Sequence, residues 1–126
     1  MVIQRLGRIP YIEAEAYMLD CLDKRIRGEI PDTLLLCEHD PVYTLGRRQG
    51  ASSNVLHPEK IPVIEARRGG DVTYHGPGQL VGYPIVQLQG KRKDLHAYLG
   101  FLEQVRIDSL FKMGIEANRD DRNTGV

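Results

Sequence analysis

At 126 residues, with 41% hydrophobic and 27% charged side chains, the chain has the size and composition of one globular domain and is too apolar for global disorder. Seventeen basic side chains balance seventeen acidic ones and both halves are mixed, so bulk charge gives no case for nucleic acid or an anionic membrane as partner. The longest purely apolar run, Leu34 to Cys37, cannot span a bilayer, the opening ten residues carry no apolar signal core, and Cys21 and Cys37 make neither a disulfide framework nor a zinc site, which reads as a cytoplasmic protein with reduced thiols.

The elements alternate along the chain. Ile3 to Ile9 reads as a short strand with Gly7 inside it. Pro10 opens a helix, a position where its missing N–H costs nothing. Ile12, Ala16, Leu19, Leu22 and Ile26 recur at helical spacing as the expected buried stripe, with Asp20, Asp23, Lys24 and Arg27 on the wet face, and Gly28 ends the run. Pro31-Asp32 is a turn, and Thr33 to Cys37 is a buried strand. Val42 to Leu45 continues extended, residues 46–60 form an exposed loop, and Ile61 to Ala66 is a further strand. Residues 67–79 read as a Gly-rich loop. Leu80 to Leu88 is a strand again, with Pro84 marking an edge or a bulge. Asp94 caps a second helix whose apolar stripe is Leu95, Tyr98, Leu99, Leu102, Val105 and Leu110, and Gly114 follows its C-terminus. Ile115 and Ala117 can begin another extended piece before a polar turn, Asn118 to Asn123. The expected fold is a mixed α/β domain spanning residues 1–126.

Chemistry concentrates between Arg67 and Gly90. That stretch holds 6 of the 13 glycines and only Arg67, Arg68 and Asp71 as charges. Paired glycines allow close backbone approach to a ligand, Arg68 offers a fixed cationic fork, and His75 titrates near neutrality. An isolated Gly-Gly or Gly-Pro-Gly is usually a turn. Arg, four glycines, Thr, Tyr and His between Arg68 and Gly78 point instead to a ligand site. The segment lacks the Gly-Lys-Ser/Thr end of a phosphate-binding loop. The run from Gly76 to Gly82 is one residue too long for the dinucleotide fingerprint and precedes a strand rather than a helix, so neither route to nucleotide binding applies.

The string RGGDVTYHGPGQLVGYP from Arg68 to Pro84 resembles the signature of the lipoyl(octanoyl) transferases, the octanoyl-[acyl-carrier-protein]:protein N-octanoyltransferases. LLLCEHDPVYTLGRR, from Leu34 to Arg48, resembles the family's first block, and Leu6-Gly7 through Tyr11 and Ala14 its first strand and helix, so the resemblance covers nearly the whole chain. It implies a fold like the biotin and lipoate protein ligases. It implies transfer of an octanoyl group from acyl carrier protein to a lysine of lipoate-dependent enzyme domains, a step of lipoate biosynthesis and protein lipoylation, through an acyl-cysteine thioester. It implies that Arg68, Gly69, Gly70, Asp71, Val72, Thr73, Tyr74 and His75 line the acyl site, with Asp71 the most variable position.

The family's nucleophilic cysteine sits in a Pro-Cys-Gly segment, and its lysine just after a Thr-Gly-Val like Thr124 to Val126. Neither segment occurs in this sequence. The chain therefore resembles the N-terminal part of such a transferase, truncated before its catalytic pair. No catalytic residue, metal or cofactor is expected in it, and turnover and stability are expected to be low. Cys21 and Cys37 read as core thiols. Cys37 shares a strand face with His39, but Glu38 beside it argues against a low thiol pKa. His39 reads as a turn residue packed before Pro41, and His57 and His96 as solvent-facing. Arg47-Arg48, Arg67-Arg68 and Lys91-Arg92-Lys93 read as solvated charge, some of it able to dock an acidic carrier protein. The competing readings are a non-catalytic module that binds acyl group or carrier, and an ATP-dependent lipoate or biotin ligase relative.

Overall fold

A computed structural model describes residues 1–88, 94–120 and 124–126. The chain divides into two compact units, Met1–Gln87 and Leu88–Val126. Among the described residues no helix is long and apolar enough to cross a membrane. The basic triplet Lys91-Arg92-Lys93 and the last residues of the polar turn ending at Asn123 lie outside the described residues.

The first unit opens with strand β1 (Val2–Ile9), helix α1 (Tyr11–Ile26) and strand β2 (Thr33–His39). β1 and β2 pair in parallel, as a strand–helix–strand unit requires. Their register slips between Arg5 and Gly7, and Gly7, at φ 67°, takes the left-handed turn of that bulge. β6 (Val81–Ile85) pairs antiparallel to the other side of β2, giving the order β1–β2–β6. Pro84 thus sits on an edge strand, where a missing donor is tolerated, and the β2–β6 register runs unbroken.

The second sheet has β3 (Val42–Leu45) at its centre, β4 (Val63–Glu65) parallel on one side and β5 (Val72–His75) antiparallel on the other. A one-turn 3₁₀ helix at Ala51–Asn54 interrupts the expected loop 46–60. β5 corrects the reading of residues 67–79 as loop throughout: Val72, Thr73 and Tyr74 are strand formers whose backbone pairs with β3, and flanking glycines hide them in the sequence.

Two apolar clusters fill the unit. Cys21, Leu35 and Ile85 are buried with Leu6, Met18, Ile30 and Tyr83 against them, and Tyr11, Val42 and Ala66 are buried with Ile64. The buried face of α1 is therefore Tyr11, Ala14, Met18 and Cys21, at i, i+3, i+7 and i+10. This corrects the expected stripe: Ile12, Leu22 and Ile26 are 62%, 43% and 74% exposed, and Ala16 is also exposed. The helix carries two apolar arcs, and the sheet takes the one with the aromatic ring and the sulfur side chains.

In the second unit, Asp94 caps α2 (Leu95–Lys112) by accepting from the N–H groups of His96 and Ala97, and Gly114 turns the chain at φ 79°. The expected stripe on α2 is not buried: Tyr98, Leu102 and Leu110 are half-buried, whereas Leu95, Leu99 and Val105 are exposed. Among the described residues its unit holds no second helix or strand to cover them. Ile115 and Ala117 belong to no strand. Arg119 folds back onto the helix, donating to Gln104 Oε1 (2.8 Å) and pairing with Glu103.

Candidate functional site

The Gly-rich segment leaves β4 and runs beside the turn that follows β3. Arg47 N–H donates to Arg68 O (3.0 Å), Arg48 N–H to Gly70 O (3.1 Å) and Gly46 N–H to Asp71 O (3.1 Å). These bonds bring the two segments so close that a Cβ on Gly46 would lie 2.6 Å from Gly69 O and collide with Gly70 O. Glycine is needed here for want of space rather than for its dihedral freedom.

Arg68 turns inward. Its Nη2 donates to Thr44 O (2.7 Å) and Thr44 Oγ1 (2.8 Å), its Nε to the same hydroxyl (3.2 Å), and Nη1 to Gly69 O (3.0 Å). Thr44 is fully buried at the centre of the second sheet and passes its own hydroxyl proton toward Thr73 O (3.4 Å). Most of the guanidinium fork is thus spent on the protein, and what remains for a ligand is its charge and one Nη1 proton.

Asp71 turns outward. Asn54 Nδ2 donates to both carboxylate oxygens (2.9 and 2.8 Å), Val72 N–H to one (2.8 Å), and Arg48 pairs with it at 3.3 Å. The Asn54 and Val72 bonds, then the nearby arginines, hold its carboxyl below the ordinary aspartate range. Its geometry is that of a latch between the loop of residues 46–54 and the start of β5.

Strand alternation puts Thr73 and His75 on one face of β5 and Val72 and Tyr74 on the other. Tyr74 is exposed and packs on Tyr43 across the sheet, with ring centroids 5.3 Å apart. His75 is half-buried, stacks on Tyr11 (6.1 Å, 12°) and meets the edge of His39 (5.6 Å, 74°). Its Nδ1–H donates to Gln79 Oε1 at 2.6 Å, and burial, with His39 and Arg68 nearby, lowers its pKa despite that bond. Gly78 N–H donates to Glu38 Oε2 (2.8 Å), tying the turn after His75 to β2.

His39 departs from the sequence expectation. It is the last residue of β2, fully buried, and not a turn residue. Its Nδ1 lies 3.0 Å from Ile9 O and its Nε2 2.8 Å from the Tyr83 hydroxyl, with Cys37 Sγ 3.7 Å from the same nitrogen. Burial first, then Tyr11, Cys37 and Glu15, pushes the Tyr83 hydroxyl far above the ordinary tyrosine range, so it remains a donor. Cys37 is 3% exposed, and burial alone raises its thiol pKa, where Glu38 was the expected cause. Cys21 is equally buried. His57 and His96 face solvent, as the sequence predicts.

Of the eight residues singled out in sequence, the fold therefore gathers Arg68, Thr73 and His75 around Thr44, Tyr11 and His39, and sends Asp71 and Tyr74 outward. Tyr11, His39, Thr44 and Tyr83 were not among the eight. The period-two burial of Thr33, Leu35, Cys37, His39, Val42 and Thr44 is the signal that places His39 and Thr44 inside. The assembled site offers one fixed cation, an imidazole held toward its neutral form and close-packed glycine backbone. Such a set suits a polar group such as a carbonyl.

The family model of the lipoyl protein ligase A/B catalytic domain matches residues 10–126. The chain is 47% identical over its whole length to an octanoyltransferase of Geobacter metallireducens, covering 58% of that protein. It is 47% identical over 95% of its length to one of Gloeobacter violaceus, covering 54%, and 48% identical over its whole length to one of Syntrophotalea carbinolica, covering 59%. The chain thus spans little more than half the length of these curated relatives. Among solved structures it superposes on Ta0514 of T. acidophilum, a candidate lipoate protein ligase solved with bound lipoic acid, with a TM-score of 0.68 and 16% identity, over 99% of this chain and 53% of that one. At that identity the likeness concerns the fold alone, and it agrees with the mixed α/β, ligase-like architecture expected from the sequence. With the family model spanning all but the first nine residues, the chain belongs to the lipoyl protein ligase A/B catalytic domain family.

Proposed function

We propose that residues 1–126 form the N-terminal part of an octanoyltransferase catalytic domain. The whole domain moves an octanoyl group from octanoyl-acyl carrier protein to a lysine of lipoyl domains in the cytoplasm. The observation that carries this reading is similarity along the whole of this chain to just over half of an octanoyltransferase, in a chain whose Arg68–His75 segment is pinned against β3. Arg68 to His75 is the acyl-site segment, with Arg68 supplying positive potential, the glycines a close-packed backbone wall, and His75 a polar contact for the acyl carbonyl. Transfer runs through an acyl-cysteine thioester, which needs an accessible thiolate and a nearby cation.

A second reading is favoured for these 126 residues by themselves. Both cysteines are buried and Cys37 is held as the neutral thiol, so the segment binds an acyl group without accepting it covalently. The test is intact mass before and after incubation with octanoyl-acyl carrier protein, alongside His75 chemical shifts with octanoyl-pantetheine. Shifts at His75 with no hydroxylamine-labile adduct are expected. An adduct on Cys37 overturns the binding-only reading, and unmoved His75 signals at saturating probe overturn the acyl-site assignment. Octanoyl transfer by the whole domain that depends on ATP would favour a ligase instead.

A further inference from the structure

The buried imidazole of His39 belongs to none of the eight positions marked by the sequence, yet the site is built around it. Ile9 O can only accept, so Nδ1 carries the ring proton. In the neutral ring Nε2 is then the acceptor, and the hydroxyl of Tyr83, held protonated, is its donor. A backbone carbonyl from β1 and a phenol from β6 thereby fix both the tautomer and the plane of a ring that ends β2. That plane meets the His75 ring edge-on, while Tyr11 packs on both imidazoles, at 5.3 Å from His39 and 6.1 Å from His75.

We infer that His39 is a positioning residue. Its Nδ1–H tautomer, locked between Ile9 and Tyr83, sets the ring plane of His75 and keeps water from it, so that His75 presents a neutral imidazole at the mouth of the acyl-site segment. The groups that face this pair are Tyr11 from α1, with Glu15 acting on it through space, Cys37 from β2, Tyr83 from β6, Gln79 beyond β5, and Arg68. Glu15 aside, every one of these is neutral or cationic, so the surroundings disfavour a positive charge on His75. The inference rests on the assignment of His75 to the acyl site.

The test is long-range nitrogen–proton correlation spectroscopy on the ¹⁵N-histidine-labelled chain. In the unsubstituted protein His39 should show a protonated Nδ1 and a bare Nε2. Finding the proton on Nε2 overturns the proposal without any variant. In Tyr83→Phe, with dispersed amide signals showing that the fold is kept, the His39 Nε2 signal should lose its hydrogen-bond shift and the His75 titration midpoint should move up toward the ordinary histidine value. A His75 midpoint unchanged in folded Tyr83→Phe also overturns it. Octanoyl-pantetheine added to the same unsubstituted sample separates the two ideas. His75 signals that respond to Tyr83→Phe but not to this probe leave the positioning role standing and remove the acyl-site reading.

Discussion

Arg68 donates to Thr44 three times, twice to the hydroxyl and once to the carbonyl, and Thr44 is sealed from solvent at the centre of its sheet. The pair makes the Gly-rich segment an extension of β3. Thr44→Val keeps the side chain's shape and removes the acceptor, leaving a half-buried guanidinium with unpaired protons. It should destabilise the chain by about 1–3 kcal/mol in urea unfolding, the cost of stranding a charged donor. Thr44→Ser keeps the oxygen and gives up one methyl, for about 1 kcal/mol. Equal losses in the two variants would show that the methyl, and not the Arg68 bonds, matters.

The two glycines that face each other across the loop junction make opposite predictions. A Cβ on Gly46 meets the carbonyls of Gly69 and Gly70, which are backbone and cannot swing aside, whereas a Cβ on Gly69 meets nothing within 4 Å. Gly46→Ala should cost about 1–3 kcal/mol by overpacking and should shift the amide signals of Gly70 and Asp71. Gly69→Ala should stay within about 0.5 kcal/mol of the parent. The sequence offers no hint of this difference, since both residues sit in polar, Gly-rich stretches.

The parts of the fold that the sequence makes legible are those written in local chemistry. Asp94 caps α2, Gly28 and Gly114 turn the chain after their helices, and Pro84 lies on an edge strand, because each follows from one residue's own donors or dihedrals. The hidden parts depend on which surface another element presents. α1 has two apolar arcs, and only the sheet beneath decides that Cys21 goes in and Ile26 stays out. His39 looks like a turn residue beside Asp40-Pro41 until β2 is seen to run through it, and Tyr83 becomes its partner only because β6 pairs with β2. Long-range pairing placed the two residues that organise His75, and no window of sequence contains both.

The depressed pKa of His75 makes a signed prediction for stability. The folded chain binds this proton less well than the unfolded chain, whose histidine titrates near 6.5. The unfolded state therefore holds more protons as pH falls through that value, and stability declines from there down to the folded midpoint. Urea midpoints should be lower at pH 5.5 than at pH 7.5. His75→Gln, which cannot titrate, should flatten the slope in that window; an unchanged slope would place the pH dependence on other groups.

Asp71 predicts a local effect with little global cost, because its partners lie at the surface. Asn54→Asp replaces the donor amide with a like charge against a carboxylate that the amide now bridges. The carboxyl of Asp71 should rise from its lowered position, and the segment from Gly50 to Asn54 should become the first site of limited proteolysis. Asn54→Gln retains a donor and should protect part of the way. Cleavage unchanged in Asn54→Asp would mean that the backbone bonds from Gly46 and Arg48 hold the loop without the latch.

The thiols give the sharpest check on what these 126 residues do by themselves. An acyl-cysteine intermediate needs a thiolate that the donor thioester can reach. Cys21 is buried among Leu35 and Ile85, and Cys37 Sγ lies 3.7 Å from His39 Nε2 with burial opposing its ionisation. Neither should react with a thiol-specific disulfide reagent on the timescale of manual mixing at pH 7.5. Both should react at once in urea, and the native rate should follow the opening equilibrium of the fold. A fast-reacting thiol in the native chain would mean that the first unit opens locally around β2, and would restore Cys37, two residues from His39 on the same strand face, as a candidate nucleophile.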